Sequence, residues 1–323
     1  IALTTLTHQP ALAEQLPLVQ YPAGSLTLEP APNVIVSVDD SGSMGDDGIA
    51  DLKKALQDTF TAANIPDSSI RLSWQSMHLC KSLPTTSAKC GGNNAMRILD
   101  SAHRTRFLNF VSQLKKGGRT PSHSMVRNAG DYLMRTDLGI NSPWAQDPGV
   151  TAGVPLSCRK SFHVFMTDGA WNSISSANPG GDADRGVGGI NTILRDQNID
   201  RTTKTLPDGK VYSITDSQTA IYRDNWGGPF IKNGNSDSIN TLSDLSFYYW
   251  SQDLQPSIAN NVKPRWTQNS TETITKSGST INLLPYWNPK NNPATWQNMT
   301  TYTIGFKSAT EWGKSPPLSW SGD

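Results

Sequence analysis

The sequence predicts an α/β fold built around a mainly parallel central sheet. Two short apolar runs, residues 33–38 and 161–166, are rich in β-branched or aromatic residues and end in turn residues, as buried strands do. Between them, apolar residues recur every three or four positions, which is typical of amphipathic helices. Strands that alternate with helices favour a parallel sheet, and 323 residues are enough to bury a sizeable core.

The first half of the chain contains most of the predicted elements. In order, they are a strand over 33–38, a helix over 49–63, a strand over 69–75, a helix over 98–114, a helix that opens at Thr120-Pro121 and continues to Met134, and a strand over 161–166.

After Asp168 the pattern breaks down until the next convincing core strand, at 301–306. That distance is far longer than an ordinary connection between core elements, so we expect a large insertion at about 170–300. Within it the sequence predicts a helix near 242–254 and an alternating segment, 273–284, that folds around Ser277-Gly278.

The predicted domain covers residues 33–323 and follows an N-terminal segment, 1–32. Residues 1–13 end in Ala11-Leu12-Ala13 and resemble the tail of a secretory signal. Residues 308–323 leave little room for another helix and strand, so we expect the domain to be incomplete at its C-terminal side.

Composition excludes some classes of protein. The 28 Lys and Arg residues are balanced by 27 Asp and Glu residues, which argues against nucleic acid as the main partner. No run approaches the roughly 18 apolar residues of a membrane span, so we expect none.

The three cysteines leave their pairing open. Cys80 and Cys90 bracket a polar loop that a disulfide would close, but either of them could pair with Cys158. None of the three lies in a CxxC pair, which argues against a zinc site.

Three polar groups carry the chemistry of the predicted site. The loop Asp39-Asp40-Ser41-Gly42-Ser43 and the residue Asp168 each follow a buried strand, and Thr120 opens a helix. Because ligands bind at the carboxyl ends of strands in open α/β sheets, we expect these groups to converge. Two carboxylates with several hydroxyls suit a hard divalent cation, Mg²⁺ first, with Ca²⁺ or Mn²⁺ also compatible.

Each group also has a simpler interpretation. The loop from Asp39 to Ser43 could be a polar turn between strand and helix. Thr120 could be an N-cap ahead of Pro121, and Asp168-Gly169 an ordinary turn.

The motifs VIVSVDDSGSM, GGRTP and FHVFMTDGAWN together resemble the metal-ion-dependent adhesion site of von Willebrand factor type A domains. The resemblance implies a doubly wound, Rossmann-like sheet and a metal site that takes a carboxylate from a partner in an open coordination position. The residues that match the family's ligands are Asp39, Ser41, Ser43, Thr120 and Asp168.

A narrower resemblance covers much of the remaining chain. Four segments are similar to PilY-type type IV pilus tip proteins: CRKSFHVFMTDGAWN, NPGGDADRG, TLSDLSFYYWSQDLQP and NPATWQNMTTYTIGF. The predicted large insertion after Asp168 is also characteristic of that group. This resemblance implies a protein secreted through the periplasm to the pilus tip, with roles in pilus assembly, adhesion and twitching motility. The implied partners are minor pilins and a host or surface receptor that offers a carboxylate. Members continue into a C-terminal β-propeller, which we expect to lie outside this sequence.

The alternatives are less well supported, and we expect no enzyme. A serine hydrolase would need G-x-S-x-G around Ser43, but residue 41 is Ser. A phosphoryl-transfer enzyme would need a phosphate-binding glycine loop with Lys, which is not present. Two acidic sets could be solvated loops or a second metal site: Asp182 with Asp184, and Asp196 with Asn198 and Asp200.

One aromatic set could be a recognition surface or the packed face of a helix. It consists of Phe247, Tyr248, Tyr249 and Trp250.

Overall fold

The computed structural model describes residues 29–146, 155–169, 242–265, 273–276, 279–282, 292 and 294–306. The strands are β1 (Asn33–Val38), β2 (Arg71–Ser76), β3 (Arg97–Ile98), β4 (Ser161–Thr167), β5 (Thr273–Lys276), β6 (Ser279–Asn282) and β7 (Thr300–Gly305). The α-helices are α1 (Gly45–Thr59), α2 (Ser101–Gln113), α3 (Ser122–Met134) and α4 (Leu242–Ser251).

Five of these strands form the central sheet, in the order β3-β2-β1-β4-β7. All neighbours are parallel except β2 and β3, which are antiparallel. The α/β class with a mainly parallel sheet is therefore confirmed. From β1 the chain goes first to β2 on one side and later to β4 on the other, so the strand order reverses between β1 and β4. That reversal is the place where open α/β sheets bind ligands.

A hydrophobic core lies on each face of the sheet, because successive strand residues point to opposite faces. The first core joins Val36 and Trp74 to the apolar sides of α1 and α2. The second core joins Ile35 and Phe165 to the apolar sides of α3 and α4. Helices thus cover both faces of the sheet and fix the two strand ends that carry the candidate site.

Several predicted boundaries were wrong by a few residues. Ile98 pairs with Arg71 in β3 instead of opening the second helix. That helix begins only at Ser101, because the carboxylate of Asp100 accepts a hydrogen bond from the amide of His103 (2.7 Å) and caps it. The first helix begins at Gly45 and ends at Thr59, so it starts and stops earlier than predicted.

The simpler interpretation of Thr120 as an N-cap was also wrong. The N-cap of α3 is Pro121, which makes no side-chain capping hydrogen bond. Thr120 lies in the loop before the helix, one residue ahead of the N-cap.

The described parts of the predicted insertion include α4 and the strand pair β5–β6. β5 and β6 pair as antiparallel neighbours, as their alternation predicts, and the predicted turn at Ser277-Gly278 lies outside the described residues. α4 packs on α3 and contributes Leu245 and Tyr249 to the second core. Because Phe247 and Tyr249 are buried, the packed-face interpretation of the aromatic set is confirmed for these two residues.

The remaining sequence predictions concern cysteines, membrane spans and segments outside the described residues. Cys80 and Cys90 form a disulfide, and Cys158 is exposed and free. Among the described helices, none has the length and apolar character needed to cross a membrane. The signal-like residues 1–13 and the two acidic sets between residues 182 and 200 lie outside the described residues.

Candidate metal centre

The candidate centre lies where β1 and β4 end side by side. Val38 pairs with Met166, so Asp39 and Asp168 leave the sheet at nearly the same level. The amide of Asp39 donates to the carbonyl of Met166 (2.8 Å), which continues the pairing past the end of β1. Both carboxylates are buried, with relative exposures of 0% and 3%. The sheet thus brings together two acids that are 129 positions apart in the sequence numbering, 39 and 168.

The loop after β1 folds around the carboxylate of Asp39. Its Oδ1 accepts the amide of Ser41 (2.8 Å), and its Oδ2 accepts the hydroxyl of Thr167 (2.8 Å). The hydroxyls of Ser41 and Ser43 lie 2.9 Å apart. Ser41 is buried whereas Ser43 is exposed, so this row of oxygens leads from the buried acids to solvent.

The loop that carries Thr120 is hydrogen-bonded to the Asp39 loop along its backbone. The amide of Gly117 donates to the carbonyl of Asp40 (2.6 Å), and the amide of Gly42 donates to the carbonyl of Gly118 (3.0 Å). A Cβ atom at Gly42 would lie only 3.0 Å from the carbonyl oxygen of Gly117, so glycine permits this close approach. Thr120 itself is buried next to this contact, with 2% exposure.

The electrostatics of the centre favour a positive charge. Burial raises the pKa of Asp39, the hydrogen bonds from Ser41 and Thr167 oppose that rise, and the nearby charge of Asp168 adds to it. Two buried carboxylates that repel each other are stabilised by a cation held between them. The donor set of carboxylates and hydroxyls is the one that Mg²⁺ and similar hard cations prefer, so the residues present fit such an ion.

The centre does not depend on a cluster of acids alone. Among the described residues, no group of three or more His, Cys, Asp or Glu side chains is placed to hold a metal ion. The structure brings Asp39, Ser41 and Ser43 into one hydrogen-bonded loop, with Asp168 close enough to shift the pKa of Asp39. The loop that carries Thr120 is hydrogen-bonded to the Asp39 loop through Gly117 and Gly118.

Sequence reasoning missed three residues of this centre. Thr167 hydrogen-bonds to Asp39, and its place between a buried strand and Asp168 could have indicated this. Asp40 was assigned no separate role, yet both of its carboxylate oxygens accept backbone amides from residues 78 and 79. His78 lies far away in the sequence and gave no local signal.

Comparisons with known proteins place the chain next to pilus proteins. No family model matches the sequence. The chain is 36% identical over 256 residues to a protein of Pseudomonas aeruginosa strain PAK, named type IV pilus biogenesis factor PilY1, and the match covers 78% of this chain and 18% of that protein. The proteins of the same name from strains PAO1 and UCBPP-PA14 are 36% and 31% identical over 259 and 268 residues.

Similarity to solved structures is weak. Two crystal structures of the pilus adhesin SpaC from Lactobacillus rhamnosus GG match 44% of this chain with 16% and 17% sequence identity. Their TM-scores are 0.28 and 0.26, and the matches cover 16% and 15% of the SpaC chains.

The relationship of the chain to known proteins therefore rests on the sequence matches and not on the structural ones. The chain spans about a fifth of the length of the curated relatives that it matches. Over 78% of its own length it is homologous to proteins named type IV pilus biogenesis factor PilY1.

Proposed function

We propose that the chain is a metal-dependent adhesion module of a type IV pilus tip protein that acts in pilus assembly, surface attachment and twitching motility. It would have the von Willebrand type A form, reach the cell surface through the periplasm and bind without catalysis. The observation that carries the proposal is the convergence of three loops at the point where the strand order reverses. The homology to pilus biogenesis factors supplies the biological setting.

The residues of the centre divide into two kinds of donor. Asp39 and Asp168 would offset the charge of the cation, and Ser41, Ser43 and Thr120 would add neutral oxygen ligands. A divalent ion held by so few anions supplies an electrophilic position for a carboxylate of the partner. Exposed Ser43 marks the side from which that carboxylate would approach.

Metal binding is tested by thermal unfolding with and without MgCl₂. We expect the melting temperature of the wild-type chain to rise with Mg²⁺, because a ligand at 100 times its Kd stabilises the folded state by about 2.7 kcal/mol. Asp39→Asn keeps the shape of the side chain but removes its charge, so its melting temperature should not respond to Mg²⁺.

The matched control is Asp47→Asn, which removes one charge from an exposed position in α1. It should respond to Mg²⁺ as the wild-type chain does. A wild-type chain whose melting temperature ignores Mg²⁺, Mn²⁺ and Ca²⁺ would rule out a metal role.

A second function, the priming of pilus assembly, is favoured by the name biogenesis factor that the relatives carry. In that case the module binds minor pilins and the metal only stabilises its loops. The two functions separate when Asp39→Asn is placed in the full-length protein of its own organism. The adhesion function predicts normal pilus numbers with lost surface attachment, whereas the assembly function predicts fewer pili.

A further inference from the structure

Asp40 lies beside the candidate centre, but its carboxylate is used elsewhere. Oδ1 accepts the amide of His78 (2.8 Å), and Oδ2 accepts the amide of Leu79 (2.9 Å). The side chain is fully buried, and within the described residues no ion pair of Asp40 is found. A buried carboxylate that both neighbouring amides satisfy is a strong anchor, because charge-assisted hydrogen bonds are roughly twice as strong as neutral ones.

The backbone of the same residue holds the Thr120 loop. The carbonyl of Asp40 accepts the amide of Gly117, and two residues later Gly42 donates to Gly118. Asp40 therefore connects the segment after β2 to the loop that carries Thr120.

His78 closes this arrangement from the other side. Its ring nitrogen Nε2 lies 2.5 Å from the carbonyl oxygen of Arg119, the residue before Thr120. The ring also covers Gly117, where an added Cβ would lie only 2.7 Å from its Cγ. Glycine at 117 thus allows the histidine ring to rest on the loop.

The segment that carries His78 is itself held firmly. Ser76 and Cys80 exchange two hydrogen bonds, one from the amide of Ser76 to the carbonyl of Cys80 (2.8 Å) and one from the amide of Cys80 to the hydroxyl of Ser76 (2.9 Å). The disulfide from Cys80 to Cys90 ties the segment to the loop before β3.

We propose that Asp40 and His78 are positioning residues that set the distance between the Thr120 loop and the Asp39 loop, and so tune the affinity of the centre for its cation. This inference rests on the proposed metal site. Neither residue needs to touch the ion, because loss of groups that orient metal ligands typically weakens metal binding 10- to 100-fold.

The test measures cation affinity directly, with Mg²⁺ by calorimetry and Mn²⁺ by electron paramagnetic resonance. Asp40→Asn presents an NH₂ group to one of the two backbone amides, so one hydrogen bond is lost and two donors face each other. We expect its affinity for both cations to fall about 10-fold or more. Asp40→Glu keeps both acceptor oxygens and should recover part of that loss, and Asp47→Asn should bind as the wild-type chain does.

A second variant keeps the test decisive if Asp40→Asn does not fold. His78→Ala removes only the ring, at a partly exposed position, and should weaken cation binding about threefold or more while circular dichroism stays unchanged. A purely structural role would lower the melting temperature in EDTA and leave both affinities unchanged, which would overturn the inference.

The outcomes also separate this inference from the proposed function. If the wild-type chain binds neither cation, both are wrong. The positioning role alone is wrong under a different set of results. In that case the wild-type chain binds the cations and Asp39→Asn does not, while folded Asp40→Asn and His78→Ala bind them as tightly as the wild type.

Discussion

His163 is a fully buried polar residue of the central sheet, with 0% exposure. Its Nε2 lies 2.8 Å from the hydroxyl of Ser37, which also accepts a hydrogen bond from the amide group of Gln75 (2.8 Å). Burial alone lowers the pKa of His163 from its ordinary 6.5 to about 3. The histidine is therefore neutral in the folded chain throughout the physiological pH range.

This environment predicts a loss of stability in acid. Below pH 6.5 the unfolded chain takes up a proton at His163 that the folded chain cannot accept until about pH 3, so stability falls as the pH falls through this window. Between pH 7 and pH 5 the contribution of one such histidine is about 2 kcal/mol. His163→Gln should flatten the dependence of the unfolding free energy on pH by that amount, as urea titrations at several pH values would measure.

His103 supplies the internal control for this prediction. Burial also lowers its pKa, so acid should continue to destabilise the variant through His103. Equal pH dependence in the wild-type chain and His163→Gln would mean that burial does not lower the pKa of His163 in the folded state.

At the residue scale, the sequence indicates the candidate donors but not the residues that support them. Asp39 and Asp168 are singled out because each follows a buried strand, a local signal that needs no long-range information. The role of Asp40 depends on amides 38 and 39 positions further along the chain, at residues 78 and 79, and no periodicity encodes such a contact. Hydrogen bonds between distant loops become visible only after folding.

At the scale of elements, the contact between α3 and α4 depends on one glycine. Gly130 lies under the ring of Tyr249, and a Cβ atom at this position would collide with the ring. The hydroxyl of Tyr249 donates to Oδ1 of Asp131 (2.6 Å), and burial together with this hydrogen bond raises the pKa of the tyrosine. The ring is thus fixed at both its face and its tip, and it cannot easily move away.

Gly130→Ala should therefore destabilise the chain by about 1–3 kcal/mol, the usual cost of overpacking a core. The opposite is expected for Gly48→Ala in α1, where the added Cβ would meet Met44 at an ordinary 3.6 Å. Alanine there should stabilise the helix by up to about 1 kcal/mol. Urea denaturation compares the two variants, and equal stability would contradict the close contact between α3 and α4.

Element types were more predictable than element ends. The period of the apolar residues correctly gave the helical character of α1, α2 and α3, because each helix buries one side against a core. The ends depend on single contacts. α2 starts at Ser101 because Asp100 caps it and because Ile98 is paired with β2, and a helical pattern that includes Ile98 cannot reveal that competition.

At the scale of the whole molecule, sequence reasoning reached the class of the fold but not its strand order. The order β3-β2-β1-β4-β7 depends on which strands pair with each other. Such pairs can be more than 100 residues apart in the sequence, as β1 at 33–38 and β4 at 161–167 are. Asp39 and Asp168 follow neighbouring strands because β1 and β4 are adjacent in that order, an observation that does not depend on the motif resemblance.

One sheet shared by two cores predicts that the described part of the chain unfolds as one cooperative unit. Leu52 on α1 belongs to the first core and Leu133 on α3 to the second, and both have 0% exposure. Leu52→Ala and Leu133→Ala should each lower the unfolding free energy by about 2–5 kcal/mol. Because β1 contributes Val36 to one core and Ile35 to the other, weakening either core should weaken the whole sheet.

The measurement follows urea unfolding by near-ultraviolet and far-ultraviolet circular dichroism together. We expect both signals of each variant to change at one common midpoint, since a cooperative transition gives coincident curves for different probes. The two substitutions lie on opposite faces of the sheet, so their effects should add in the double variant to within about 0.5 kcal/mol. A separate early transition in Leu133→Ala alone would show that the layer of α3 and α4 unfolds independently of the sheet.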